Sequence, residues 1–161
     1  MEKREITSGY IVYESFDELP DVEKKLLNDA KAVARNAYAP YSEFQVGAAV
    51  LMENGKVVTG TNQENAAYPS GLCAERVAVF AASSQNPGVA IKALALTAHY
   101  SKTIVDAPVT PCGACRQVIA EYEHLFKSPI KLILSGETGK IIVFDSVEPL
   151  LPFSFTSDEL K

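Results

Sequence analysis

The chain has 161 residues, 47% of them hydrophobic, and a net charge of −5. This length and apolar content suit one domain with a single core. The acidic balance argues against nucleic acid as a partner, because nucleic-acid binders need a basic face that releases counterions from phosphates. The N-terminus is charged, and no stretch is long and apolar enough to span a bilayer. We therefore expect no secretory signal and no membrane contact.

Three cysteines are an odd number for a disulfide framework. Thiols stay free in a reducing compartment, where they serve metal binding or catalysis. The sequence therefore predicts a soluble, cytoplasmic protein in which the cysteines carry the chemistry.

The chain divides into an N-terminal extension at 1–20 and a domain at 21–161. The extension mixes charged and apolar residues with no sustained period, and we expect at most a short strand there, around Tyr10 to Tyr13. From Pro20, a candidate first-turn proline, apolar residues recur every three or four positions until Pro40. The pattern predicts an amphipathic helix whose apolar positions are Val22, Leu26, Ala30, Val33 and Ala37.

The clearest local signal is a β-hairpin. Residues Phe44 to Met52 alternate as a strand does, Asn54-Gly55 is a two-residue turn signal, and Lys56 to Thr61 supply the returning strand.

Two helices and three strands are predicted after the hairpin. The helices cover Ala74 to Ser83 and about Cys112 to His124, and the strands cover Ile91 to Thr97, Ile130 to Ser135 and Lys140 to Phe144. Turns at Gln85 to Gly88 and Gly136 to Gly139 separate them, and a proline-broken tail ends the chain. Strands interleaved with helices predict an α/β fold with one sheet of about five strands and helices on its faces.

Two cysteine groups each open a predicted helix. Cys112 and Cys115 lie in a Pro-Cys-Gly-Ala-Cys run, and Cys73 precedes Glu75 in Leu-Cys-Ala-Glu-Arg. Helix N-termini favour thiolate over thiol, and residues three apart share a helix face, so Cys112 and Cys115 can present sulfur to one ion. Three protein ligands leave one position of a tetrahedral zinc free for water, which is typical of a catalytic site.

Thr110 is a candidate cap for the second of these helices, with Pro111 as its first residue. From the residues alone, other interpretations stay open. The cysteines can be small core residues, or the C-x-x-C pair can be a redox site that has no use for Cys73. A structural zinc with His99 or His124 as fourth ligand is disfavoured, because both histidines end predicted elements and His124 lies about 18 Å along its helix from the cysteines.

Glu75 is the candidate proton-transfer group that would allow a metal site to catalyse hydrolysis. Zinc lowers the pKa of a bound water, and a nearby carboxylate can carry the proton to a leaving group. The alternative is an ordinary first-turn glutamate favoured by the helix dipole, and the spacing does not decide, since residues two apart on a regular helix point to opposite sides.

Five segments carry a resemblance to a known family: Ala-Tyr-Ala-Pro-Tyr-Ser at 37–42, Phe-Gln-Val-Gly-Ala-Ala at 44–49, Gly-Thr-Asn-Gln-Glu-Asn-Ala-Ala-Tyr at 60–68, Cys-Ala-Glu-Arg at 73–76 and Pro-Cys-Gly-Ala-Cys-Arg-Gln at 111–117. Over about residues 21–155 the chain resembles the small cytidine deaminases. The resemblance implies a single-domain, three-layer α/β/α sandwich with a mixed sheet of about five strands. It also implies the homotetrameric branch, whose zinc site has three cysteines.

The resemblance implies a role for individual residues as well. Zn²⁺ would bind to Cys73, Cys112 and Cys115, and Glu75 would shuttle the proton. The substrate would contact the backbone of Ala74 at the pyrimidine edge, Asn62 and Glu64 at the ribose, and Phe44 against the base. Without the resemblance, Asn62 and Glu64 would be solvated loop residues and Phe44 a core aromatic.

Arg76 and Arg116 are expected to support the metal. Zinc with three thiolates carries a net charge of −1, which an arginine hydrogen-bonded to sulfur would offset. Surface salt bridges are the alternative for both. The tail Leu-Leu-Pro-Phe-Ser-Phe leaves open whether Phe153 or Phe155 reaches a neighbouring active site.

The expected activity is zinc-dependent hydrolysis of the 4-amino group of cytidine and deoxycytidine, a step of pyrimidine salvage that acts on a small nucleoside. One rival is a deaminase of another aminopyrimidine nucleoside, similar to the blasticidin S deaminases. The other is a non-catalytic, zinc-stabilised binding module, which predicts a fourth protein ligand. An RNA- or DNA-editing deaminase is disfavoured by the acidic charge and the lack of a basic stripe.

Overall fold

The computed structural model describes residues 1–160 as one six-stranded sheet with three α-helices. The strands are β1 (Ile11–Tyr13), β2 (Phe44–Met52), β3 (Val57–Thr61), β4 (Ile91–Tyr100), β5 (Lys131–Ser135) and β6 (Ile141–Phe144). The helices are α1 (Asp21–Ala34), α2 (Ala74–Gln85) and α3 (Gly113–Phe126). None of the helices in this part of the chain has the length and apolar content to cross a membrane.

The sheet is mixed, with strand order β1-β6-β5-β4-β2-β3. Strands β4 and β5 run parallel, and every other neighbouring pair is antiparallel. The five predicted strands form the larger part of it, and the sixth is the short strand anticipated in the extension. Strand β1 pairs with β6, so residues 1–20 add an edge to the sheet.

Helix α1 covers one face of the sheet, and α2 and α3 cover the other. Leu27 and Ala30 of α1 pack with Ala49 of β2 and Ile133 of β5. The opposite cluster contains residues of α2, α3 and the central strands, namely Ala78, Val79, Ile119, Ala48, Leu94 and Leu132. Successive residues such as Ala48 and Ala49 enter different clusters because strand side chains alternate between faces. The predicted three-layer α/β/α sandwich is confirmed.

Helix α1 differs in detail from its predicted form. It ends at Ala34 rather than Ala37, because the following chain turns towards β3, where the Tyr38 N–H donates to the Asn62 carbonyl (3.1 Å). Val22 was expected to face the core but is 64% exposed. The buried residues are Glu23, Leu26, Leu27, Ala30 and Ala34. At about 100° per residue, Leu27 and Ala34 shift the buried stripe so that Val22 falls beyond its edge.

Two glycines let helices lie directly on the sheet. A Cβ on Gly47 of β2 would collide with the backbone of Ala30 and Ala34 in α1. A Cβ on Gly60 of β3 would lie 2.5 Å from the Ala78 nitrogen and 2.8 Å from the Ala74 oxygen of α2. The start of α2 is therefore seated on the end of β3, which fixes where its first residues point.

Candidate active site

Helices α2 and α3 begin side by side, and each has a cysteine as its N-cap. Cys73 and Cys112 have extended backbones and precede the first helical residues Ala74 and Gly113. The prediction that Thr110 caps α3 and Pro111 begins it is wrong. The first helical hydrogen bond runs from the Arg116 N–H to the Cys112 carbonyl (2.9 Å), and the Pro111 carbonyl is taken instead by the Arg116 side chain.

Three thiols meet at these helix starts. The Cys112 Sγ lies 3.8 Å from that of Cys73 and 3.5 Å from that of Cys115. Within residues 1–160, this is the one group of three or more His, Cys, Asp or Glu side chains whose ligand atoms all lie within 4.8 Å of one another. In a tetrahedral zinc site with Zn–S bonds of about 2.3 Å, the sulfurs are about 3.8 Å apart. The donor type and the spacing both fit a zinc ion.

The surroundings favour ionised sulfur at Cys73. A hydrogen bond from Cys115 lowers the pKa of the Cys73 thiol, desolvation opposes this, and a hydrogen bond from Arg76 lowers it further. Both N-caps also lie at the positive end of a helix dipole.

Neither histidine belongs to this cluster. His99 hydrogen-bonds to Glu137, and His124 Nε2 lies 3.8 Å from a carboxylate oxygen of Asp158. The structure therefore offers no support for a structural zinc with a histidine as fourth ligand.

Glu75 is buried beside the thiols, with 4% of its surface exposed. Burial raises the pKa of its carboxyl, and the negative charge of Cys73 adds to the rise. Regular helical spacing does not describe how Glu75 lies relative to Cys73, because Cys73 is an extended N-cap residue outside the helix. A protonatable carboxyl next to the three thiols can take up and release a proton at that point.

The two arginines have different surroundings. Arg76 Nη2 lies 3.8 Å from the Cys73 Sγ, within hydrogen-bonding range for sulfur. Arg116 Nε donates to the Pro111 carbonyl (2.8 Å) and Nη1 to the Leu150 carbonyl (2.9 Å). The expectation that Arg116 offsets thiolate charge through a sulfur bond is thus not met. Its guanidinium ties the tail to the residue that precedes Cys112.

Cys73, Cys112 and Glu75 line a cavity of about 690 Å³, which lies within the range of roughly 300–1,000 Å³ common for small-molecule sites. Cys115 is buried behind them. The expected substrate residues Phe44, Asn62, Glu64 and Ala74 all line it. Its walls come from several parts of the chain: the start of β2, the loop that follows β3, the start of α2, Leu96 of β4 and the loop before α3.

Asn62 and Glu64 are each partly engaged by backbone. The Asn62 amide accepts from the Val46 N–H (2.8 Å) and donates to the Phe44 carbonyl (2.9 Å), so it fixes the end of β3 to the start of β2. Glu64 Oε2 accepts from the N–H groups of Tyr41 (2.8 Å) and Ser42 (3.3 Å). Desolvation opposes ionisation of Glu64, but the bonds from Ser42 and Tyr41 outweigh it and hold the carboxyl pKa below its ordinary value.

The cavity wall also contains residues to which the sequence had assigned no part in the site, Thr110 having been expected only as a helix cap. Tyr41 and Tyr68 lie edge to face with ring centroids 6.2 Å apart, and Val109 and Thr110 form part of the wall next to Cys112. Both tyrosines lie in segments that carried the family resemblance, which was the one available signal. Nothing in the local pattern marks Val109.

The tail stays outside this cavity. Phe153 is 94% exposed and Phe155 58% exposed, and the Phe155 carbonyl accepts from the Gln117 side chain (2.7 Å).

A family model described as "Cytidine and deoxycytidylate deaminase zinc-binding region" matches residues 20–126. The chain belongs to this deaminase family. A cytidine deaminase of Halalkalibacterium halodurans is 42% identical over 136 residues, which cover 84% of this chain and 96% of the relative. One from Sporosarcina psychrophila is 44% identical over 143 residues, which cover 88% of this chain and 96% of that relative.

Solved deaminase structures share the fold. The cytidine deaminase of Burkholderia pseudomallei has a TM-score of 0.70 and 41% identity, covering 81% of this chain and 97% of that one. The cytidine deaminase of Mycobacterium tuberculosis has a TM-score of 0.62 and 36% identity, and the match covers 81% of this chain and 94% of that one. These deaminases match the chain over nearly their full length.

Proposed function

We propose that the chain hydrolyses the 4-amino group of cytidine and deoxycytidine, giving uridine or deoxyuridine and ammonia. The observation that carries this proposal is the cluster of three thiols next to the buried carboxyl of Glu75, with Cys73, Cys112 and Glu75 in the wall of one cavity. Three ligands suit a hydrolytic centre, which needs a position for water, whereas a structural site is closed by four.

Zinc is the ion that we assign to Cys73, Cys112 and Cys115, and when bound it would supply a water of lowered pKa and an electrophile beside the base. Helix starts hold Cys73 and Cys112 in place, and Arg76 reduces the accumulated negative charge through its contact with Cys73.

Glu75 moves the protons. Its carboxylate takes one proton from the attacking water, delivers it to N3 of the pyrimidine, and then transfers the second proton of the water to the departing amine. The oxygen remains on C4, and ammonia leaves. Burial next to the charge of Cys73 raises the carboxyl pKa, so a larger fraction of Glu75 is protonated near neutral pH than for an exposed glutamate.

The opposite part of the cavity would hold the sugar. The backbone amides of Tyr41 and Ser42 bond to Glu64 Oε2, which leaves Oε1 for a sugar hydroxyl. The Asn62 amide keeps one N–H and one lone pair beyond its bonds to β2. Phe44 would pack against the base, and the backbone at Ala74 would bond its edge.

Oligomeric state and location are further parts of the proposal. Phe153 and Phe155 on the tail and Phe80 on α2 are large exposed apolar side chains that a homotetramer would bury. The free thiols suit a reducing compartment, so we place the enzyme in the cytoplasm. Light scattering at micromolar concentration tests the tetramer, and a monomer would refute it.

The decisive experiment is a parallel assay of cytidine, deoxycytidine, cytosine and cytidine monophosphate. Both nucleosides should react, because hydrogen bonds to the 3′-hydroxyl do not require a 2′-hydroxyl. Cytosine should react poorly because binding energy from the sugar positions C4. The monophosphate should be rejected because Glu64 and the thiolates repel a dianion. Equal efficiency on cytosine or the monophosphate would show that the sugar subsite is misassigned.

A Glu75→Gln variant separates an enzyme from a zinc-stabilised binding module. We expect it to retain zinc by elemental analysis and to lose turnover. Unchanged turnover would contradict the role of Glu75. Competition by blasticidin S, with turnover of that compound in preference to cytidine, would instead support the rival aminopyrimidine substrate.

A further inference from the structure

Three side chains outside the cavity form a hydrogen-bonded chain. Arg35 follows α1, His99 lies in β4, and Glu137 lies in the turn between β5 and β6. His99 Nδ1 bonds to Glu137 Oε2, and Arg35 Nη1 lies 2.7 Å from His99 Nε2. Because a guanidinium can only donate, Nε2 must accept and Nδ1 must carry the hydrogen. The geometry therefore fixes the neutral Nδ1–H tautomer of His99.

The other oxygen of Glu137 holds backbone. Oε1 accepts from the N–H groups of Val105 (3.2 Å) and Tyr100 (3.5 Å). In return, the Val105 carbonyl accepts from the N–H groups of Glu137 (2.7 Å) and Thr138 (3.3 Å). Bonds in both directions thus join the β5–β6 turn to the loop that follows β4, with the carboxylate of Glu137 at their centre.

Both segments held by Glu137 support the substrate cavity. The loop leads to Val109, Thr110 and Cys112, which line it. The Tyr100 ring packs on Phe44 with centroids 5.8 Å apart, and Phe44 lines the cavity from another side. Glu137 itself is not among the lining residues.

We propose that Glu137, oriented by His99 and Arg35, is a positioning residue that sets the substrate cavity by fixing the Tyr100 backbone and the loop at Val105. The proposal rests on the deaminase function for its kinetic consequence. Walls that contact the substrate equally in ground state and transition state affect binding more than chemistry, so the effect should fall on KM.

The test uses Glu137→Ala in the zinc-loaded full chain. We expect KM for cytidine to rise roughly tenfold with kcat within about threefold of wild type. Amide exchange at Val105 should accelerate at least about tenfold, because the amide loses its acceptor. Glu137→Gln should recover much of KM, because the side-chain amide oxygen can still accept from Val105.

Glu123→Ala is the matched control. Glu123 also accepts two backbone N–H groups, from Ile130 (2.7 Å) and Val147 (3.0 Å), and none of these three residues lines the cavity. It should lose stability but keep the wild-type KM and the wild-type exchange at Val105. If Glu123→Ala raises KM as much as Glu137→Ala does, the effect is one of general stability and the proposal is overturned.

The ¹⁵N chemical shifts of the His99 ring report its tautomer, and a general loss of stability does not change them. Wild type should show the Nδ1–H tautomer at neutral pH, and Glu137→Ala should lose it. An Nε2–H tautomer in wild type, or unchanged Val105 exchange in Glu137→Ala, would overturn the proposal. If wild type does not deaminate cytidine, the deaminase function fails, and the exchange and tautomer measurements still decide whether Glu137 holds the loop.

Discussion

Replacing Gly60 by alanine should impair the active site, although Gly60 is not among the residues that line the cavity. Gly60 lies in β3 directly beneath α2, and an added Cβ would be 2.5 Å from the Ala78 nitrogen, 2.8 Å from the Ala74 oxygen and 2.9 Å from the Ala78 Cα. All three atoms are backbone, so no side chain can rotate away. Helix α2 must lift from the sheet instead.

The size of the displacement follows from these distances. Ordinary van der Waals contact for a Cβ begins at 3.4 Å, so α2 must move by about 1 Å at Ala74 to Ala78. Overpacking of this kind costs about 1–3 kcal/mol of stability. The same helix start carries Cys73 and Glu75, and a misplacement of about 1 Å at a reacting group can lower the rate by roughly 10²-fold. We therefore expect kcat/KM to fall by one to two orders of magnitude.

Gly47→Ala provides the matched control. Its Cβ would collide with the backbone of α1, which covers the other face of the sheet. Urea unfolding should show a loss of stability for both variants, while steady-state kinetics on cytidine should show the large loss in Gly60→Ala alone. If Gly60→Ala keeps wild-type kcat/KM, or if Gly47→Ala loses as much, then the seating of α2 on β3 does not position the site.

Three other substitutions test the site and the fold. Cys112→Ala should lose its metal and stability together, because site formation is linked to folding; elemental analysis of protein from a zinc-replete preparation should find little zinc, and full occupancy would contradict the ligand assignment. Arg76→Gln should keep its zinc but lower turnover about tenfold, because thiolate charge is no longer offset; a wild-type pH–rate profile would make Arg76 a mere surface partner. The third substitution is Glu123→Gln. Burial raises the pKa of the Glu123 carboxyl, so the folded protein binds this proton more tightly than the unfolded chain does. The free energy of unfolding should therefore fall as the pH rises above the ordinary carboxyl pKa of 4.5. Urea unfolding should show a weaker loss in Glu123→Gln over the same rise, and identical slopes would refute this.

Local signals predicted those elements that depend on local chemistry. Asn54-Gly55 predicted the hairpin, and Gly55 adopts the positive φ of 82° that favours glycine in such a turn. Strand β1 has only three residues and exists because β6 offers it an edge, so no pattern within residues 1–20 could establish it. The same reasoning applies to α1, where Leu26 and Leu27 are adjacent and only the position of the sheet decides which helical face is buried.

At the site, the grouping of the three cysteines could be predicted, and the contacts of the two arginines could not. The cysteines can be recognised from their residue type and from their positions at the starts of two predicted helices. Arg76 and Arg116 both stand close behind cysteines in the sequence, yet one contacts sulfur and the other does not. The difference arises because the Leu150 carbonyl, 34 residues away along the chain, and the Pro111 carbonyl together attract the Arg116 guanidinium. An arginine takes the acceptors that the fold leaves within its reach, and those acceptors are known only once the tail has been placed in three dimensions.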